Sequence, residues 1–326
     1  MTNVALASYS TLSIYSAMAV LTLAMLAFAI DLARSAPRAA AAPLAAEPVP
    51  AAGASRPPAP ASFDRPDPPL DRPDPPVAAR PAAGVGMALS WLAGALVLLG
   101  VVLRGLSVMR VPWGNMYEFA TTGCAAVLAA FLVWSLRRDL RWLGLFIIGP
   151  VLLTLGLAVA VFYTEAAQLL PSLKSFWLVI HVIFAIVAVA LFTVAFSVTI
   201  VQLVKSHRET HPPATATFME GLPSAAALDR TAYGLHIVAF PLWTFTLIAG
   251  AIWAEQAWGA YWQWDPKEVW TFVIWIVYAA YLHARATAGW STRSVNYLAL
   301  AGYGCILINY LVVNIYFVGM HSYSGM

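Results

Sequence analysis

The stretch PLWTFTLIAGAIWAEQAWGAYWQWDPKEVWTFVIWIVYAAYLHAR, residues 241–285, contains two long apolar runs with a tryptophan-rich loop between them. The centre of that loop, from Trp258 to Trp270, holds four tryptophans, one tyrosine and an Asp-Pro step. An apolar run of about 20 residues crosses the hydrocarbon layer of a membrane as a helix. Indole rings favour the membrane surface and present broad, stiff apolar faces. The stretch therefore predicts two membrane helices joined by an aromatic platform for a large flat ligand.

The composition of the whole chain is that of a membrane protein. Hydrophobic residues make up 61% of the 326 residues and charged residues 10%, whereas soluble domains carry about 25% charged residues. Apolar runs long enough to span a bilayer lie near residues 9–32, 85–108, 117–136, 142–163, 176–204, 231–254, 266–287 and 294–318. We therefore predict an all-α, polytopic membrane helix bundle with about eight transmembrane helices.

The positions of the basic residues predict the orientation of these helices. Of the 18 Lys and Arg residues, 14 lie in the segments 33–84, 137–141, 205–230 and 284–293. Positively charged loops stay on the cytoplasmic side of a membrane. Both termini and the tryptophan-rich loop are therefore expected to be extracytoplasmic. The first apolar run has no Lys or Arg before it and Arg34 and Arg38 after it, so we interpret it as a retained helix and not as a signal peptide.

Proline divides the chain into three predicted parts. Residues 35–84 hold 14 of the 22 prolines and the near-repeat DRPDPP at Asp64–Pro69 and Asp71–Pro76. Such a segment cannot build a packed core. We predict a first transmembrane helix in 1–34, a Pro/Ala-rich cytoplasmic linker in 35–84, and a seven-helix domain in 85–326 that includes the tryptophan-rich loop, residues 253–270.

Several kinds of site are not indicated by the sequence. Cys124 and Cys305 each lie inside an apolar run, without the spacing of a disulfide framework or a zinc site. The formal net charge is +3, and the sequence holds no basic patch of the kind that binds nucleic acid.

Two histidines are expected at the depth of the tryptophan-rich loop. His181 stands near the outer end of the fifth apolar run, and His321 directly follows the eighth. Neutral imidazole is a good ligand for haem iron, and one histidine on each face completes the axial pair. Together with the loop, His181 and His321 therefore indicate a haem site. Taken singly, each histidine is also explained as a hydrogen-bonding residue at the interface.

The other four histidines are expected away from that site. His283 lies 17 residues into the seventh run, about 25 Å from the loop along a helix, where an ionisable group indicates function unless its side chain extends to the inner interface near Arg285. His236 is a weaker candidate and a possible local partner of His283. His207 and His211 lie in a polar loop and are predicted to be solvated.

The residues that start the seventh run have two interpretations. Asp265, Pro266, Lys267 and Glu268 match the N-cap and first turn of a helix. Asp265 could also bond the edge of a ligand, and Lys267 could pair with a haem propionate or be solvated. Trp258 and Trp262 would share a face if the loop is helical, whereas Trp262 and Trp264 would point to opposite sides. An ordinary aromatic belt is the alternative for all of these tryptophans.

The pattern WGxYWxWDPKExW resembles the tryptophan-rich WWD signature of haem-handling proteins of cytochrome c maturation. It is most similar to the CcsA or ResC subunit of the system II cytochrome c synthase. The segments PLWTFTLIAGAIWAEQAWG, YLHAR, NYLVVNIYFVGMHSYSG and PWGNMYEF, the last at Pro112–Phe119, also resemble that family. Together they span most of residues 105–326.

The resemblance implies a haem site and partners for the chain. Haem b would be bound at the outer face with His181 and His321 as axial ligands, beneath the loop residues Trp258, Trp262, Trp264, Asp265 and Trp270. His283 would bind an inner haem together with a histidine of a CcsB/ResB-type membrane subunit. The expected activity is half of a haem lyase, in which this chain positions haem so that its vinyl groups join the CxxCH thiols of apocytochrome c. The expected location is the bacterial plasma membrane, or the thylakoid membrane of a plastid.

Three other functions remain open at the level of sequence. A system I haem delivery protein shares the WWD loop but does not perform the thioether chemistry. A b-type electron-transfer subunit would require paired histidines on facing helices, and only His236 and His283 offer such a pair. A haem-free transporter would require broken helices in paired halves, which the sequence does not indicate.

Overall fold

A computed structural model describes residues 2–41, 80–168, 173–212 and 217–321. In this part of the chain every regular element is helical, which confirms the predicted fold class. The helices are α1 (Val4–Ala41), α2 (Pro81–Val108), α3 (Met116–Ser135), α4 (Gly144–Ala160), α5 (Phe176–Thr210), α6 (Ala225–Trp258), α7 (Pro266–Ala286), α8 (Thr292–Leu307) and α9 (Asn314–Tyr316). A π-helical segment, Ile308–Val313, joins α8 to α9, and a 3₁₀ turn covers Phe218–Gly221.

Seven of the predicted spans are long and apolar enough to cross a membrane, counting Thr292–Tyr316 as one span. The fourth, α4, has 17 residues and is shorter than predicted. The residues before it form tight turns, with the Leu143 amide donating to the Leu140 carbonyl. Seventeen helical residues rise about 25 Å, somewhat less than the roughly 30 Å of a hydrocarbon core.

Contacts at one end of the bundle join the starts of odd-numbered helices to the ends of even-numbered ones. The Asn3 amide donates to the Ser107 carbonyl, which places the start of α1 beside the end of α2. The Ser175 hydroxyl bonds Gln256, which joins the start of α5 to the end of α6. We call this end, which carries the tryptophan-rich loop, the outer end, and the opposite end the inner end.

Helix α1 packs closely against its neighbours. The hydroxyls of Ser10 and Ser13 donate to the carbonyls of Gly100 and Leu96 on α2, over 2.6 and 2.8 Å. Helix α1 continues to Ala41 and α2 begins at Pro81, so both ends of the predicted linker are helical. Residues 42–79, which form most of that linker, lie outside the described residues. The first helix is therefore a packed member of the bundle.

A buried carboxylate ties α3 to α2 at the outer end. Glu118 is fully buried and accepts from Arg104 over 3.0 Å and from Arg110 over 2.7 Å. It also accepts from the Gly114 amide, while Asn115 caps α3 by accepting from the Glu118 amide. Buried charges are tolerated when they are paired in this way. The network fixes the turn that holds Trp113, whose place in the site is described below.

Candidate functional site

The tryptophan-rich loop ends in a tightly bonded helix start. The Asp265 side chain accepts from the Lys267 amide, and the Glu268 side chain accepts from the amides of Asp265 and Gln263. This reciprocal capping box, with Pro266 in the first turn, is the arrangement that the sequence predicts. It fixes the loop at the point where α7 begins.

Asp265 also holds the last described residues of the chain. Its carboxylate accepts from Nδ1 of His321, at 2.9 Å, and from the amide of Met320. Burial alone would raise the pKa of the Asp265 carboxyl, but the hydrogen bonds and charge supplied by His321, with the Lys267 and Met320 amides, hold it below its usual value. Asp265 therefore acts as helix cap and as anchor of His321 at once.

The second outer histidine, His181, is held by α6. Its Nδ1 lies 2.9 Å from the Thr246 carbonyl. Because a carbonyl only accepts, Nδ1 carries the proton and Nε2 keeps its lone pair. The ring lies against Gly250, where an added Cβ would come within 2.7 Å of Nδ1. Glycine at this position thus makes room for the imidazole.

Both imidazoles pack around Trp253. Its indole is stacked with the His181 ring, with centroids 6.0 Å apart, and meets the His321 ring edge-on at 5.5 Å. Trp258 also meets His321 edge-on, at 4.8 Å. The expectation that His181 and His321 lie in one layer with the loop is therefore consistent with the geometry. Trp253 lies in the predicted loop range, but sequence reasoning did not include it among the ligand-contacting residues.

A cavity of about 250 Å³ lies beside this cluster. His181, His321, Trp253 and Trp262 all contribute to its lining. Apolar residues of α3, α5 and α6, including Phe119, Leu178 and Trp243, form another part of the lining. The two predicted iron ligands thus face one largely apolar space at the outer end of the bundle.

The opposite wall of the cavity is polar. The Lys267 ammonium donates to the Asn309 carbonyl over 3.0 Å and to Oδ1 of Asn314 over 2.7 Å. Asn309 lies in the π-helical segment, where the regular helical hydrogen bonding is interrupted. Lys267 is therefore bound to neutral oxygens and not simply solvated. Its contact with the π-helical segment and α9 was not predicted, although Asn309 and Asn314 are polar residues in an apolar span, which is a recognisable signal.

Three buried polar atoms at the cavity have no hydrogen-bond partner among the described residues. They are Nε1 of Trp113, Oε1 of Glu268 and Oδ1 of Asn309. Buried polar groups are ordinarily paired, so an unpaired set in one cavity points to bound water or a bound ligand. The Trp113 atom is a donor, and the Glu268 and Asn309 atoms are acceptors.

The loop tryptophans are arranged differently from the prediction. Helix α6 ends at Trp258, so Trp258 and Trp262 do not share a helical face. The rings of Trp262 and Trp264 do not point to opposite sides but meet edge-on at 5.8 Å. Trp264 has a left-handed backbone, with φ +59°, which breaks the alternation of an extended chain. It is 75% exposed, and neither it nor the half-buried Trp270 lines the cavity.

The two inner histidines lie in different surroundings. His236 is buried, with Nδ1 donating to the Ala232 carbonyl and its ring against Tyr281. His283 lies on the exposed side of α7, away from the face that buries Tyr278 and Tyr281. The structure therefore places His236 against aromatic residues and His283 at the helix surface, and the possible local pairing of these two histidines stays a prediction that these contacts do not support.

A family model described as "Cytochrome C assembly protein" matches residues 113–321, from Trp113 on the cavity wall to His321. The chain belongs to this family. It is 32% identical over 296 residues to the "Cytochrome c biogenesis protein CcsA" of Synechococcus sp. (strain JA-3-3Ab), covering 73% of this chain and 85% of that protein. The Guillardia theta protein of the same name is 33% identical over 254 residues, covering 70% and 81%.

The Synechococcus elongatus protein of that name is 34% identical over 297 residues, covering 75% of this chain and 88% of the relative. The resemblance to CcsA-type subunits is thereby confirmed. The process in which this membrane protein acts is cytochrome c biogenesis.

Proposed function

We propose that the chain binds haem b in the outer cavity, with His181 and His321 as axial ligands, and presents it for thioether attachment to the CxxCH motif of apocytochrome c. The observation that carries this proposal is the orientation of the two imidazoles. Each donates its Nδ1 proton to a fixed acceptor, the Thr246 carbonyl or the Asp265 carboxylate. In its neutral form each imidazole therefore keeps the Nε2 lone pair that an iron ligand needs.

The rest of the cavity also fits haem. Apolar and aromatic side chains suit the porphyrin ring, and Trp113 Nε1 is an unpaired donor suited to a carboxylate. Arg104 is not placed for such a carboxylate, because it does not line the cavity and donates to Glu118 and to the Thr164 carbonyl. Lys267 has three donors and uses two of them on Asn309 and Asn314, so one remains for a propionate or water.

In this proposal the chain acts by positioning. When bound, haem supplies two vinyl groups, each of which takes one thiol of the CxxCH motif. His181 and His321 would hold the haem, and Trp253 would exclude water beside it. Trp258 packs against the His321 ring and Asp265 bonds it, so both would act by fixing that ring. Neither Cys124 nor Cys305 lies in the cavity lining, so the thiols come from the apocytochrome. Holding the reacting groups together accounts for the catalysis.

We also propose that a CcsB/ResB-type subunit completes the synthase. The exposed position of His283 on α7 suits a histidine that shares an inner haem with a partner chain. The alternative function is that of a system I haem delivery protein. Such a protein would have the same outer haem site but no partner subunit for thioether attachment.

Purification of the chain from its native membrane tests both parts of the proposal. We expect a six-coordinate haem spectrum, haem b by pyridine haemochrome analysis, and a co-purifying membrane subunit with a large extracytoplasmic domain. His283→Ala should lower the haem content, because the chain loses its contribution to the inner site, and should leave the outer haem spectrum unchanged. A wild-type complex without haem would overturn the haem assignment, whereas haem without a partner subunit would favour the delivery protein.

Asp265→Asn should weaken haem binding without unfolding α7. Asparagine is as good an N-cap as aspartate, but it has only one acceptor oxygen. In the wild type one oxygen of Asp265 accepts from His321 and the Lys267 amide and the other accepts from the Met320 amide, so the variant cannot keep all three bonds that position the ring. Loss of such a partner of a metal-bound histidine typically costs roughly 10–100-fold in metal affinity. Haem titration of the apoprotein would measure this. Asp139→Asn, which removes a carboxylate at the inner end, is the matched control, and equal affinities for the two variants would contradict the anchoring role of Asp265.

A further inference from the structure

A second cavity lies at the inner end, far from the haem site. It has a volume of about 490 Å³ and lies between the first half of α2 and the turn after α3. Met87 and Trp91 of α2 form one wall, and residues 135–141 form the other. Trp91 is 42% exposed. A partly exposed tryptophan near a helix end is typical of the membrane–water interface.

The charges at this cleft do not balance. Asp139 is paired with Arg141 by hydrogen bonds of 2.8 and 2.6 Å. The bond from Arg141 holds the pKa of the Asp139 carboxyl below its usual value, so that carboxylate remains charged and paired. Asp31 is paired with Arg80 in the same way. Both acidic side chains that the described residues place near the cleft are thus already paired with an arginine.

Two guanidinium groups remain. Arg137 and Arg138 line the cleft, are exposed, and make no ion pair among the described residues. Their peptide amides both donate to the Trp134 carbonyl, which holds the turn in place while leaving the side chains free. The cleft therefore combines two unpaired cations with the apolar surfaces of Met87, Trp91 and Leu136.

We propose that this cleft binds the phosphate of an anionic phospholipid. The phosphate would accept from Arg137 and Arg138, since guanidinium groups match phosphate geometry. The glycerol and the start of the acyl chains would lie along Met87 and Trp91, which is why a lipid suits the cleft better than a free anion. The positive-inside rule places this end towards the cytoplasmic leaflet, where anionic lipids attract basic segments. The inference is independent of haem.

Native mass spectrometry of the full chain, purified in detergent and titrated with phosphatidylglycerol, phosphatidylcholine or inorganic phosphate, tests the proposal. Wild-type protein should retain phosphatidylglycerol in preference to the other two. Each surface arginine contributes about fivefold to binding of an anionic lipid, so Arg137→Gln with Arg138→Gln should weaken retention roughly 25-fold. The matched control is Arg208→Gln with Arg230→Gln, which removes the same charge from exposed positions on α5 and α6.

The outcomes separate the explanations. Equal retention of phosphatidylglycerol by the two double variants would overturn the site, because net charge alone would then explain binding. Retention of inorganic phosphate by the wild type as strong as its retention of phosphatidylglycerol would overturn the lipid assignment. Equal retention of phosphatidylglycerol and phosphatidylcholine by wild-type protein would overturn the proposal even if the Arg137, Arg138 variant does not fold.

Discussion

His181→Ala and His321→Ala should each abolish six-coordinate haem at the outer site of the purified complex and should sharply lower the yield of holocytochrome c. Each substitution removes one of the two proposed iron ligands of that site. Loss of a residue that hydrogen-bonds a metal-bound histidine typically lowers metal affinity roughly 10–100-fold. Loss of the histidine ligand itself should lower haem affinity by more than that. The residual haem should show a changed absorption spectrum, because one axial position is then empty or filled by water. Haem content per folded chain and the spectrum are the measurements.

His207→Ala and His211→Ala provide the matched controls. These two rings stack on each other at the inner end, with centroids 4.8 Å apart and both residues exposed. They should leave the haem content and spectrum at wild-type values. Circular dichroism should show the same helical content in all four variants, because no backbone hydrogen bond of a helix is removed. The melting temperature should be unchanged in the two control variants and equal to or below that of the wild type in the two outer variants, which lose a packed and hydrogen-bonded ring. Wild-type haem absorbance in both outer variants would contradict the assignment of the axial ligands.

The transmembrane helices were predictable because the hydropathies of consecutive residues add up along each apolar run. Each run of apolar residues adds burial in lipid, so length and hydropathy alone locate the spans. Boundaries were less predictable, since capping and turn bonds decide them: α4 begins only after the Leu140–Leu143 turn, and α2 already at Pro81. The packing of α1 on α2 depends on serine hydroxyls bonded to carbonyls, which leave no periodic signal.

The site was predictable only where side chains of distinctive chemistry mark it. His181, His321 and Asp265 could be named as candidates because imidazole and a capping carboxylate are recognisable types. The partners of His181 were not, because the Thr246 carbonyl is backbone and Gly250 acts by lacking a side chain. The direction of each tryptophan was also hidden, since it depends on the left-handed backbone of Trp264.

Gly250→Ala should damage the haem site while leaving the fold intact. An alanine Cβ would lie 2.7 Å from Nδ1 and 2.8 Å from Cε1 of His181, closer than any ordinary contact. Trp253 stacks on the same ring, so the imidazole cannot shift without changing its own packing. The bond to the Thr246 carbonyl should be lost and the direction of Nε2 changed. We expect haem affinity to fall roughly 10–100-fold, as for loss of a partner that orients a ligand.

Gly234→Ala separates this steric effect from the effect of alanine on the helix. Both glycines lie on α6, but a Cβ at Gly234 would meet nothing within 4 Å. Replacing a helical glycine by alanine favours the helix by up to about 1 kcal/mol. Gly234→Ala should therefore keep full haem binding with equal or higher thermal stability, whereas Gly250→Ala should lose haem at a stability near that of the wild type. Equal haem affinities of Gly250→Ala and Gly234→Ala would contradict the claim that Gly250 positions the His181 ring for binding haem iron.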